Sequence, residues 1–106
     1  MVRLALALVV ASLPVSAAAS EDAECAGLLK TATSLMTARQ SGMPADQLMA
    51  PVERASDPKL KAAMRALVLD ALEVPQYYTE EMKNRAAVDF GNRKYVACMR
   101  AADRNG

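Results

Sequence analysis

Two cysteines constrain this chain more than any other pair of residues. Cys25 stands just behind an apolar leader and Cys98 lies close to the carboxyl end. The leader says what the cysteines do. After Met1-Val2-Arg3 comes an almost wholly apolar run from Leu4 to Leu13, then Pro14 and the small residues Val15-Ser16-Ala17-Ala18-Ala19. A short cationic start, an apolar middle and a small-residue end form a signal peptide, with Ala17 and Ala19 placed for cleavage before Ser20 and Val15 with Ala17 for cleavage before Ala18. The apolar run is about half of the ~20 residues that a spanning helix needs. We therefore expect residues 1–19 to be a signal peptide, and residues 20–106 to be one domain with no membrane-spanning segment, exported into an oxidising compartment.

In that oxidising compartment two cysteines are most simply a disulfide. A domain of this size leaves roughly a third of its unfolded surface exposed and is marginally stable. A crosslink closing a loop of about seventy residues contributes on the order of 4 kcal/mol in the chain-entropy model. Redox and zinc chemistry are poorly supported, since the cysteines do not form a C-x-x-C pair and the chain has no histidine.

Helical spacing recurs along the whole domain. Cys25, Leu28, Leu29, Ala32, Leu35 and Met36 mark one face of a helix from Asp22 to Gln40, stopped by Gly42. Pro44 can open a short second helix at its first position, which Pro51 must kink or restart. Asp57 and Pro58 form a cap and a first-turn proline for a third helix. Its stripe is Leu60, Ala63, Met64, Leu67, Val68, Ala71 and Leu72, and Pro75 ends it. Thr79 can cap a last helix over Glu80 and Glu81, reaching about Ala102. Within it Ala86, Phe90, Ala97 and Ala101 share a flank, and Gly91 requires either a bend or the close approach of another backbone. No stretch alternates with period two. The expected fold is all-α, a small bundle of three to four helices, with Cys25–Cys98 joining the first and last helices where they run antiparallel.

The set Cys25, Ala38-Arg39-Gln40 with Gly42 and Met49, Pro75, Thr79-Glu80-Glu81, Phe90-Gly91-Asn92, Tyr95 and Cys98 resembles a family of short secreted proteins of proteobacteria and their prophages. The likeness spans nearly the whole exported part. It departs at Pro51 and Gln76, where the family more often carries a helix former and an arginine. The resemblance implies a bacterial, periplasmic protein and carries no activity with it.

Catalytic chemistry is not visible. Without histidine the commonest general base and transition-metal ligand are both missing. Glu21-Asp22 and Glu80-Glu81 sit at helix starts, where acidic residues suit the dipole. Met36, Met64 and Met82 invite thoughts of thioether-bound copper, but they fall on or near apolar stripes and read as core filling. The chain holds 13 Lys plus Arg against 12 Asp plus Glu. Loss of Arg3 with the leader leaves the domain neutral, which gives nucleic acid no electrostatic hold. No cofactor or metal is expected.

Arg39, Gln40, Tyr77 and Tyr78, at the ends of the first and third helices, are the candidate partner surface. The leading expectation is a non-catalytic periplasmic binding or interaction module with an envelope protein partner, not an enzyme. A stress-protective holdase that opens at low pH or on reduction is the first alternative, and a small carboxylate-dependent hydrolase the second.

Overall fold

The computed structural model describes residues 17–105, and side chains from residue 21 onward. The described residues form four helices: α1 (Ala17–Gln40), α2 (Ala45–Glu53), α3 (Pro58–Glu73) and α4 (Glu80–Asn105). Among the described residues there is no strand. The expected leader lies outside the described residues, except for Ala17-Ala18-Ala19, which begin α1. These good helix formers carry α1 five residues beyond the expected start at Asp22.

Local chemistry explains most of the ends. Gly42 takes φ +93°, its N–H bonds the Arg39 carbonyl and the Met43 N–H bonds the Ala38 carbonyl, each at 3.1 Å. That pair of bonds is the Schellman closure, which needs a left-handed residue and so favours glycine. The Asp57 carboxylate accepts the Lys59 N–H at 3.0 Å with Pro58 opening α3. Thr79 Oγ1 accepts the Met82 N–H at 3.2 Å.

Two expectations for α2 are corrected. Pro44 is the N-cap, in extended conformation, one position before the first helical residue. Its carbonyl accepts the N–H groups of both Gln47 and Leu48. Pro51 does not restart α2, which continues through it to Glu53. It stands in the final turn, where its missing N–H forfeits a single bond to Gln47.

Helices α1 and α4 pack together in antiparallel fashion. Their register is marked by three meetings: the Cys25–Cys98 disulfide, Thr33 against Gly91, and Lys83 on the carbonyl of Gln40. The expected disulfide therefore does join the first and last helices. Helix α3 lies against α1 and α2.

The main core gathers Ala32, Met36, Leu67, Ala71, Ala86, Ala87 and Phe90. A second cluster of Leu48, Val52 and Val68 seats α2 on α3. The α3 stripe is buried only in its second half, since Leu60 is 53% exposed. The α4 flank behaves likewise, with Ala86 and Phe90 buried but Ala97 and Ala101 exposed. Met36 is fully buried and Met64 packs against both clusters. Met82, expected near the core, is instead 46% exposed, because no element covers that side of the first turns of α4.

Candidate functional site

Three of the four residues singled out in the sequence meet at one place, where the carboxyl ends of α1 and α3 face each other across the segment 74–77. The Arg39 guanidinium donates to the Leu72 carbonyl (3.3 Å) and to the Val74 carbonyl (3.3 and 3.4 Å). These are the unsatisfied carbonyls at the end of α3, so the cation completes hydrogen bonding and faces the negative end of a dipole. The arginine thus serves the end of a neighbouring helix rather than that of its own.

Gln40 does the same work for the loop. Its Nε2 donates to the Pro75 carbonyl at 2.8 Å, and its Oε1 accepts the Tyr77 N–H at 2.9 Å. It is 2% exposed and is the one buried polar side chain among the described residues. The α1 end is held in return: Gln76 Nε2 donates to the Arg39 carbonyl at 3.0 Å, and Lys83 Nζ to the Gln40 carbonyl at 2.9 Å. Gln40 is therefore an internal strut, its amide spanning two loop backbone groups and leaving almost no side-chain surface outside. Arg39 is half-buried and engaged in the same way.

What the strut presents outward are the two tyrosines. Tyr77 packs half-buried on the main core, while Tyr78, beside it, is 99% exposed. Tyr77 also lines an open cleft of about 490 Å³ between α3 and α4. Asp70 and Glu73 form its α3 wall, Val74 and Pro75 its end, and Phe90, Arg93, Lys94 and Ala97 its α4 wall. Lys94 Nζ reaches across to Asp70 at 2.5 Å and lies 5.3 Å from the centre of the Phe90 ring, within cation–π range.

This cleft was not legible in the sequence. Asp70, Phe90 and Lys94 look like ordinary positions on two separate helices, and only the docking of α3 on α1 brings them together. Its two carboxylates do not make an acid–base pair, since Asp70 is tied to Lys94 and both are open to water. Glu80 and Glu81 are exposed, and Glu81 pairs with Arg85. Among the described residues no three of His, Cys, Asp or Glu converge to hold a metal ion, and no helix is long and apolar enough to cross a membrane.

The geometry defines a four-helix domain crosslinked between its terminal helices, with a rigidly supported aromatic loop beside a polar-walled cleft. The chain matches no protein-family model, no curated protein and no solved structure.

Proposed function

We propose that this chain is a non-catalytic binding module of the bacterial envelope, exported through the leader at residues 1–19, which engages a protein partner through Tyr78 and the adjoining cleft. One observation carries the reading: a tyrosine that is 99% exposed follows a backbone segment fixed by Arg39 and Gln40. Tyrosine supplies large amphipathic contact area at low entropic cost, and a loop already held in place loses little freedom on binding. The crosslink, the leader and the family resemblance support an envelope location, and the lack of histidine agrees with a role without turnover.

The test replaces Tyr78 with a photo-crosslinking amino acid in the exporting cell, and separately with alanine. One envelope protein should crosslink at position 78 and not at another exposed position such as Ala62. Its capture by the purified domain should fall roughly tenfold or more on Tyr78→Ala, as for an interface anchor, with the unfolding midpoint unchanged. Equal crosslinking at both positions, or unchanged capture, would refute the surface. Substrate turnover lost on changing one carboxylate, with the fold intact, would refute the non-catalytic reading.

A further inference from the structure

The two longest helices are not equally supported along their length. In α1, from Glu21 to Thr31, Cys25 is the single buried residue, and in α4 nothing beyond Gly91 is buried. Both core clusters draw their buried members from the other half of the molecule. The contact between Lys94 and Asp70 is the last polar link from α3 to α4 in this direction. Past it, the two helices form an arm whose inner face offers only half-buried Leu29, Tyr95, Met99 and Ala102, while Leu28 reaches back to the main core.

Helical segments of this length are marginal in water unless an apolar face is covered. In the arm that cover is thin, and the crosslink sits in its middle. Cys25 is 1% exposed, whereas Cys98 is only half-buried, the less enclosed of the two half-cystines.

We infer that the Cys25–Cys98 disulfide is a redox-sensitive latch on this arm, whose reduction releases residues 21–31 and 93–105 and bares their apolar inner stripe while the body of the domain stays folded. The reductant is a dithiol. Its thiolate attacks Cys98 Sγ, the Sγ–Sγ bond breaks, and Cys25 leaves as a thiolate that takes up a proton. The second thiol of the reductant then displaces Cys98, so that two electrons and two protons pass to the protein and the reductant ends as a disulfide. The body is held by contacts that the crosslink does not touch: the main core, the α2–α3 cluster and the Arg39–Gln40 struts. This inference does not depend on the partner proposed above.

Hydrogen exchange of the full chain, oxidised and then reduced with dithiothreitol, reads the two regions separately. Amides of residues 21–31 and 93–105 should exchange roughly tenfold faster or more on reduction, as expected for local opening, while residues 64–72 and 82–90 keep their oxidised rates. Binding of a naphthalene-sulfonate dye should rise in parallel. The Cys25→Ala, Cys98→Ala double variant should show the same pattern without reductant. Uniform acceleration along the chain, an unchanged arm, unchanged dye binding, or a double variant that does not fold would each overturn the proposal.

Discussion

Gly91 of α4 lies so close to Thr33 of α1 that a Cβ built on the glycine would stand 2.1 Å from Thr33 Oγ1. The same Cβ would come within 3.0 Å of the Leu29 carbonyl, which accepts the Thr33 hydroxyl at 2.8 Å. Turning Thr33 aside therefore does not make room. Gly91→Ala should destabilise by about 1–3 kcal/mol through overpacking, despite a gain of up to ~1 kcal/mol in helix propensity. Denaturant unfolding measures the net loss. Adding Thr33→Ala should restore part of it, with a coupling of roughly 0.5 kcal/mol or more.

Gln40→Leu keeps the volume of the strut but strands the Pro75 carbonyl and the Tyr77 N–H. The expected cost is about 1–3 kcal/mol, the usual penalty for leaving buried backbone groups without partners. Arg39→Ala should cost about 1 kcal/mol, less than its hydrogen bonds suggest, because the guanidinium is partly open to water. Both are read from unfolding midpoints. Any loss of partner capture in these variants is to be compared with Tyr78→Ala, which leaves the loop backbone supported.

Pro51→Ala should stabilise the domain. It restores a donor to the Gln47 carbonyl in the last turn of α2 and removes a residue disfavoured inside helices, which outweighs the entropy that proline removes from the unfolded chain. The net gain should be about 1 kcal/mol, seen as a higher thermal midpoint with an unchanged helical signal.

The two ends of α3 should answer differently to the same change. Leu67, 5% exposed, should cost about 2–5 kcal/mol on truncation to alanine. Leu60, 53% exposed, belongs to the same stripe but should move stability by less than about 0.5 kcal/mol.

That contrast shows where sequence reading succeeds and where it stops. Gly42, Asp57 and Thr79 were legible as punctuation because each acts on backbone groups within five residues of itself. The disulfide was legible because two cysteines behind an apolar leader have one simplest pairing. A helical period reports which residues share a face, not how much of that face a neighbour covers. Hence Leu60 and Ala97 looked equivalent to Leu67 and Phe90. Gln40 could not be read as buried, because the groups that make its burial tolerable, Pro75 and Tyr77, lie some 35 residues away. The cleft escaped for the same reason, since its walls share no local pattern.

The antiparallel pairing of α1 with α4 also sets the order in which the chain can fold. The two helices with the most to gain from each other are the first and last of the four described, and the connection between them is spanned by α2 and α3. Loop closure over such a length is entropically costly before any contact rewards it, whereas α2 and α3, separated by four residues, can meet early. A chain emerging from a translocation pore, amino end first, would therefore hold α1 without its partner until Cys98 had cleared the pore. During that interval Met36 and Ala32 would face water, and Cys25 would stand as a free thiol open to mispairing. For a domain joined by its ends, the proposed export would tie the pace of maturation to the arrival of Cys98 and of an oxidant.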